Sequence, residues 1–504
     1  MPDRYIEKIL KARVYDVAIE TPLEKAEVLS ERLDNQVYLK REDLQPVYSF
    51  KLRGAYNKMV QLSEQERACG VIAASAGNHA QGVALSAKKL GIHAKIVMPR
   101  TTPGIKVTSV QNRGADTVLY GDTYDEAYQH AMELAQAEGR IFVHPYDDPD
   151  VIAGQGTIAM EILHQHSGEL DVIFVPVGGG GLIAGISAYV KHLKPEVKVI
   201  GVEPEDAPCM HHALKQGERV ILDQVGIFAD GVAVRQAGKE PFRIAKQCVD
   251  DVILVTTDEI CAAMKDIYDD SRSIVEPAGA LGVAGMKKYV ERNNIKGQTL
   301  IAINSGANIN FDRLRHVAER AEIGEDREAL LAVTIPERPG SFKKFCELLG
   351  HRSVTEFNYR YADNDEAHVF AGVELTQGLE EKNKLIARLE AHDYPVLDMT
   401  ENEMAKMHIR YMVGGHAPGA QNEILYRFQF PERPGALLQF LTHVGEHWNI
   451  SLFHYRNHGS AYGRILVGMQ VSDNDRPRFQ QFLEELGYSY WEEENNPAYE
   501  LFLR

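Results

Sequence analysis

Seven short apolar runs, 71–74, 95–98, 117–119, 141–143, 172–175, 199–202 and 300–303, recur between stretches of helical periodicity from about residue 5 to 320. Runs this rich in Val and Ile, apolar at nearly every position, predict strands buried on both faces. Strands alternating with helices build a parallel α/β sheet. In such a sheet a ligand lies beyond the carboxyl ends of the strands, so the loops that follow the runs are where chemistry is to be sought.

Three of those loops stand out. After 71–74 comes Ser75-Ala76-Gly77-Asn78-His79-Ala80-Gln81-Gly82, a small polar turn opening a helix, whose backbone N–H groups and Ser75 hydroxyl suit a carboxylate. After 172–175 comes Gly178-Gly179-Gly180-Gly181, where bare backbone at a helix start suits a phosphate. The run matches neither G-x-x-x-x-G-K-[ST] nor G-x-G-x-x-G, which disfavours a nucleoside triphosphate or a dinucleotide. After 300–303 comes Asn304-Ser305-Gly306-Ala307-Asn308, which sets a neutral hydroxyl at a strand end. Each loop alone reads equally well as a capped or flexible turn.

Lys51 gives the three a common purpose. It stands in Tyr48-Ser49-Phe50-Lys51-Leu52-Arg53-Gly54 at the expected start of a helix. Burial by Tyr48, Phe50 and Leu52, with the charge of Arg53 beside it, would lower its pKa from about 10.4 and ready the amine to attack a carbonyl. The carbonyl most often met by such a lysine is that of pyridoxal 5'-phosphate. That cofactor requires a phosphate cradle, a partner for its ring nitrogen and a seat for an amino-acid carboxylate.

The set Ser-Phe-Lys-x-Arg-Gly-Ala, Ser-Ala-Gly-Asn-His-Ala-Gln-Gly, Gly-Gly-Gly-Gly-Leu and Ser-Gly-Ala-Asn, in that order, resembles the threonine and serine dehydratases of the tryptophan-synthase β-like pyridoxal-phosphate enzymes, fold type II. Carried over, the resemblance implies that Lys51 holds the cofactor covalently and that Phe50 packs near the ring. It further implies that Asn78 bonds the phenolic oxygen, that Gly178, Gly179, Gly180, Gly181 and Leu182 cradle the phosphate, and that Ser305 faces the ring nitrogen. Ser75, Ala76, Gly77, Asn78 and His79 would seat the substrate carboxylate, with Lys51 as base for the α-proton. Glu276, in Glu276-Pro277-Ala278-Gly279-Ala280, is a secondary site lining the cofactor cleft. No metal is expected: Asp147, Asp148 and Asp150 read as turn and capping residues beside Pro145 and Pro149. Where relatives with racemase activity carry a glutamate and, six residues on, a second acid, Glu203 is followed here by Cys209.

Beyond Arg327 the pattern changes. Pro336-Glu337-Arg338-Pro339-Gly340 returns as Pro431-Glu432-Arg433-Pro434-Gly435, and Phe357-Asn358-Tyr359-Arg360 as Phe453-His454-Tyr455-Arg456, an internal duplication. The first copy reads strand 330–335, helix 341–350, strand 355–361, strand 368–375, helix 379–392 and strand 396–399, the split βαβ order of a ferredoxin-like α+β module. These halves resemble the amino-acid-binding regulatory modules called ACT domains. The expected organisation is a catalytic domain of two α/β subdomains over 1–325 and ACT-like domains over 326–412 and 413–504, with Gly414-Gly415-His416-Ala417-Pro418-Gly419 linking the last two.

A dehydratase joined to two such modules resembles the biosynthetic threonine deaminases, and this resemblance covers nearly the whole chain. It implies elimination on L-threonine to give 2-oxobutanoate and ammonia at the committed step of isoleucine synthesis. It also implies isoleucine and valine as opposed effectors, and a homotetramer. The alternatives are serine dehydration or racemisation on the same scaffold, and an amino-acid sensor without catalysis; L-serine is thus a second possible substrate. At 504 residues there is room for roughly three domains. A formal charge of −17 with no dense basic block argues against nucleic acid, and no apolar run is long enough for a membrane span. Five scattered cysteines without a Cys-x-x-Cys pair fit a reducing cytoplasm.

Overall fold

The structure, a computed structural model, describes residues 3–503 apart from 312, 351, 363–364, 432–435, 445–446 and 457–461. Two compact units divide the chain, Met1–Ala321 and Glu322–Arg504.

The first unit holds two sheets. The smaller runs Asp116–Leu119, Ala94–Met98, Val71–Ala74, Ile141–Phe142, all parallel. The larger runs Leu23–Lys25, Gln36–Arg41, Thr299–Asn304, Val172–Pro176, Lys198–Pro204, Asp251–Val255, parallel except for its first, edge strand. All seven apolar runs are strands. Successive residues enter opposite cores, as the pleat requires. Val172, Phe174, Leu300 and Ala302 pack on one side of the larger sheet, and Ile173, Val175, Ile301 and Ile303 on the other. Val71 and Ala73 part from Ile72 and Ala74 in the same way in the smaller one. Helices cover both faces of each sheet.

Three strands of the larger sheet were not anticipated from the sequence. Gln36–Arg41 ends in two cations, yet Lys40 and Arg41 are buried. Each is neutralised inside: Lys40 by Glu161 at 2.6 Å, Arg41 by Asp43 at 2.8 Å. A buried pair of this kind disguises a core strand as a surface one.

The second unit is one eight-stranded antiparallel sheet, ordered Val396–Asp398, Glu328–Pro336, Glu366–Glu374, Val354–Arg360, Asn449–Arg456, Tyr462–Gln470, Glu423–Pro431, Ser489–Glu492. The order reads the same from either edge, because it is two copies of one four-stranded module joined side by side. Helices Ser341–Leu349 and Gly378–Glu390 belong to the first copy, Ala436–Val444 and Arg476–Leu486 to the second. The seam is the duplicated motif itself: Phe357 pairs with Tyr455, Asn358 with His454 and Tyr359 with Phe453. Asn358 and His454 are equivalent positions of the two copies, so a local two-fold axis passes between them. Phe357 and Phe453, also equivalent, meet edge to face at 5.1 Å. The first Pro-Glu-Arg-Pro-Gly turn leads into helix Ser341–Leu349, whereas residues 432–435 of the second lie outside the described residues.

Candidate active site

The loops at the carboxyl ends of both sheets of the first unit surround one cavity of about 1270 Å³. It is lined by Phe50, Lys51, Ser75, Ala76, Gly77, Asn78, His79, Gly178, Gly179, Gly180, Gly181, Leu182, Glu276 and Ser305. Every site residue expected from the sequence is brought together there.

Lys51 is the first residue of helix Lys51–Val60. The segment before it is stitched to the loop after Thr299–Asn304: Ser49 bridges Gly306, Phe50 N–H donates to Ser305 O at 3.3 Å and Ala307 N–H to Tyr48 O at 2.9 Å. Lysine and serine, 254 positions apart, are thus held by backbone bonds on one wall. Lys51 Nζ donates to Pro145 O at 3.4 Å and lies 5.2 Å from the Phe50 ring centre. Burial pushes its pKa down to about 8 against the opposing pull of Glu276. The sequence reading of this shift needs correcting. Tyr48 is exposed, Leu52 packs into a separate cluster with Val14 and Val47, and the charge of Arg53 is neutralised by Glu42 at 2.7 Å and Glu161 at 2.5 Å. Arg53 anchors the helix and leaves the amine to desolvation.

Helix Asn78–Leu90 starts at Gly77 with no side-chain cap. No N-cap side chain bonds its first N–H groups, an end open to an anion, and the Ser75 hydroxyl accepts from Gly77 N–H at 3.2 Å. The His79 imidazole is turned away: Nε2 bonds Val143 O at 2.8 Å, and burial holds the ring neutral with a pKa near 3. Nε2 therefore carries the proton and Nδ1 is a bare, buried acceptor without a partner. Only the backbone of His79 can serve a carboxylate.

The glycine run joins Val172–Pro176 to helix Gly181–Leu193, with Gly180 left-handed at φ 91° as N-cap. At Gly179 a Cβ would fall 2.3 Å from the Tyr146 ring, so the backbone is bare because there is no room for it to be otherwise. Ser305 is buried and its hydroxyl donates to Ala278 O at 3.2 Å. Glu276 is buried, accepts from Asn78 Nδ2 at 2.6 Å, and is pushed up to about 7, chiefly by burial and then by Asp230. An amine of lowered pKa, an uncapped helix, a glycine cradle and an amide donor on one cavity suit a carbonyl compound that carries a phosphate.

Sequence reasoning missed part of the wall. His144 and Tyr146 follow Ile141–Phe142, and the 219–238 loop closes the opposite side. His144 Nδ1 accepts from Tyr146 N–H at 3.2 Å and Asp147 N–H at 2.8 Å, so this ring too is neutral, with a pKa near 4 through burial. The rule that chemistry follows strand ends would have found it, had the loop after 141–143 been searched for more than carboxylates. Those carboxylates are structural. Asp148 caps helix Pro149–Gln165, Asp147 accepts from Lys239 and Glu240 N–H at 2.8 and 2.9 Å, and Asp150 pairs with Lys8 at 2.7 Å. Glu203 likewise accepts from Met210 and His211 N–H, each at 2.8 Å.

Comparison with known proteins places these features in a family. Residues 14–306 match the model of pyridoxal-phosphate dependent enzymes, and 319–409 and 414–503 each match the C-terminal regulatory domain of threonine dehydratase. The chain is 58% identical over 502 residues to the biosynthetic L-threonine dehydratase IlvA of Burkholderia multivorans, covering 99% of both chains. It is 55% identical over 499 residues to that of Escherichia coli, covering 99% of this chain and 97% of the other. Among solved structures it is similar to the processed form of threonine deaminase isoform 2 from Solanum lycopersicum, with 52% identity and a TM-score of 0.62 over 64% of this chain and 93% of that one. With this cavity, this duplicated tail and similarity along its whole length, the chain belongs to the biosynthetic threonine dehydratases, pyridoxal-phosphate-dependent enzymes of fold type II.

Proposed function

We propose that the protein is a threonine ammonia-lyase, converting L-threonine to 2-oxobutanoate and ammonia by α,β-elimination, and that it commits threonine to isoleucine synthesis. The observation that carries the reading is the convergence of Lys51, Asn78, the glycine run and Ser305 on one cavity. Pyridoxal 5'-phosphate supplies an electron-accepting ring that draws charge from the α-carbon of a bound amino acid.

The chain's own residues do the rest. The helix starts at Gly181 and Asn78 would present N–H groups to two anions, the cofactor phosphate at the glycine run and the substrate carboxylate at Ser75 to His79. Phe50 and Leu182, which line the cavity, would wall the ring. Lys51, held near pKa 8, is a neutral amine for an appreciable fraction of the time at physiological pH and takes the α-proton, a role worth about 10²–10⁴ in rate. Ser305 would face the ring nitrogen with a neutral side chain and no full negative charge, which would favour loss of the β-hydroxyl over transamination.

The second unit is read as the regulatory part, with isoleucine inhibiting and valine opposing it. A coupling of about 1–3 kcal/mol would change substrate affinity roughly 5–150-fold. The family resemblance extends the reading to a cytoplasmic homotetramer, and the five free thiols suit a reducing compartment. Among the described residues, no helix is long and apolar enough to cross a membrane. The test is the initial rate of 2-oxobutanoate formation as isoleucine and then valine are titrated in. Suppression followed by recovery is expected. Turnover indifferent to both would remove the regulatory role, and no turnover with cofactor bound would remove the activity.

A further inference from the structure

The Asn78 side chain is held at both ends. Its Nδ2 donates to Glu276 Oε1 at 2.6 Å and its Oδ1 accepts from Asn308 Nδ2 at 2.7 Å. Asn308 Nδ2 also donates to Val47 O at 2.8 Å, and Asn308 backbone N–H donates to Glu276. The ring of contacts closes through three separate segments: a helix start, the N-terminal boundary of helix Pro277–Asn293 and the loop after Thr299–Asn304.

The donors and acceptors in this ring admit one arrangement. Val47 O is a backbone carbonyl and only accepts, so the end of Asn308 that faces it is –NH₂, and the same nitrogen donates to Asn78. The carbonyl end of Asn78 must then face Asn308, and its –NH₂ end faces Glu276 Oε1, which accepts whether or not the other carboxyl oxygen holds a proton. One hydrogen of Asn78 Nδ2 is committed to Glu276, which leaves the second as the free donor of a residue that lines the Lys51 cavity. Glu276 is placed unusually for a structural residue. It sits at the N-cap of helix Pro277–Asn293, yet its side chain makes no capping bond there and crosses to Asn78 instead. Gly306 must be glycine for the same contact, since a Cβ there would fall 2.4 Å from Glu276 Oε1.

We propose that Glu276 and Asn308 are positioning residues that lock the Asn78 amide with its second N–H directed into the cavity, as donor to the anionic ring oxygen of the cofactor. The inference rests on the reading of this cavity as the cofactor site. A glutamine at 276 could turn its own –NH₂ to Asn78, setting donor against donor, and with Asn308 alone still holding the amide its second N–H would be pushed off the line to that oxygen. Glu276 Oε1, as acceptor, keeps it there.

The test is a double-mutant cycle read in cofactor dissociation constant and in the position and pH dependence of the visible absorbance band, on the full-length protein. Glu276→Gln, close in shape, is expected to weaken cofactor binding about tenfold and shift the band; Asn308→Ala does the same. In an Asn78→Ala background either change is expected to cost less than about twofold more. Equal effects with and without Asn78 would overturn the inference, as would a Glu276→Gln protein with unchanged affinity and band. Should Asn308→Ala fail to fold, the Glu276→Gln arm still decides. Failure of the underlying reading looks different: the unaltered protein would then bind no cofactor, or would bind it equally well without Lys51.

Discussion

Lys51 Nζ stands 3.4 Å from the carbonyl oxygen of Pro145, across the cavity wall from the helix that carries it. Neither this weak acceptor nor the charge of Glu276 offsets the burial of the amine, so its pKa falls from 10.5 to about 8. The folded, cofactor-free chain therefore binds fewer protons at Lys51 than the unfolded chain between pH 8 and 10.5. Its contribution to stability rises with pH through that window, while below it burial of the charged amine is a constant cost. The kinetic consequence is that cofactor uptake by the depleted protein should speed up as pH rises towards 8 and level off above it. Stopped-flow absorbance in the cofactor's visible band would follow this, and Lys51→Ala should show no covalent band at any pH. A rate that stayed flat across the range would contradict the depressed amine.

Gly179→Ala should damage the phosphate cradle. The added methyl meets Tyr146 Cγ at 2.3 Å, and the ring cannot retreat freely, because it packs edge-on against His144 at 4.6 Å beside the anchored Asp147. Overpacking of this kind costs about 1–3 kcal/mol, expected both in thermal unfolding and as weakened cofactor binding. Gly104→Ala is the control, since no atom lies within 4 Å of its Cβ position. It should change stability by less than about 0.5 kcal/mol.

Much of this was legible beforehand, for a physical reason. A strand buried on both faces leaves an apolar run, and the loop after it must be small and polar to receive a ligand, so 71–74 with Ser75 to His79 and 172–175 with the glycine run announce themselves. Gln36–Arg41 did not, because its neutralising partner for Lys40 is 121 residues away at Glu161. The Asn78–Glu276 contact spans 198 positions, and no spacing rule reaches that far. Arg53 shows the converse error: a charge adjacent in sequence was expected to act on Lys51, but Glu42 and Glu161 cancel it.

Glu276→Gln should stabilise the cofactor-free protein while weakening its hold on the cofactor. Burial and Asp230 raise this carboxyl from 4.5 to about 7, opposed by Asn78, Lys106 and the Asn308 N–H, with Lys51 also in range. The folded state then binds more protons than the unfolded one, and stability falls as pH rises from 4.5 to 7. A shift of this size amounts to about 3 kcal/mol, which the neutral amide would not incur. Urea unfolding of the depleted protein should show the variant more stable above pH 7 and equal to the unaltered protein near pH 4.5. A variant less stable at pH 8 would mean that the carboxylate is held for structure.

The duplicated tail carries a pair of equivalent acids whose partners differ. Glu328 and Glu423 open the first strand of their copies and bond the equivalent hydroxyls of Thr355 and Ser451. Glu328 pairs with Arg410, but Glu423 takes its cation from the other copy: Arg360, on the seam strand Val354–Arg360. The guanidinium also donates to Gly415 O at 2.8 Å, Ser451 O at 3.2 Å and Leu503 O, so it fastens the segment between the copies and the chain's last turn to the seam. Among the described residues, Arg360→Ala leaves the buried Glu423 carboxylate with Ser451 and Tyr499 as its side-chain donors, and loss of one partner from such a pair costs about 3–5 kcal/mol. Arg360→Lys should recover less than half, because one ammonium cannot span acceptors laid out for a planar fork. The measurement is urea unfolding of the full chain, with Trp448 and Trp491 of the second unit as fluorescent reporters and the cofactor band as reporter for the first. The tryptophan transition should move to lower urea while the cofactor band keeps its midpoint. A tryptophan transition left in place would show that the cross-copy pair contributes nothing to holding the two modules together.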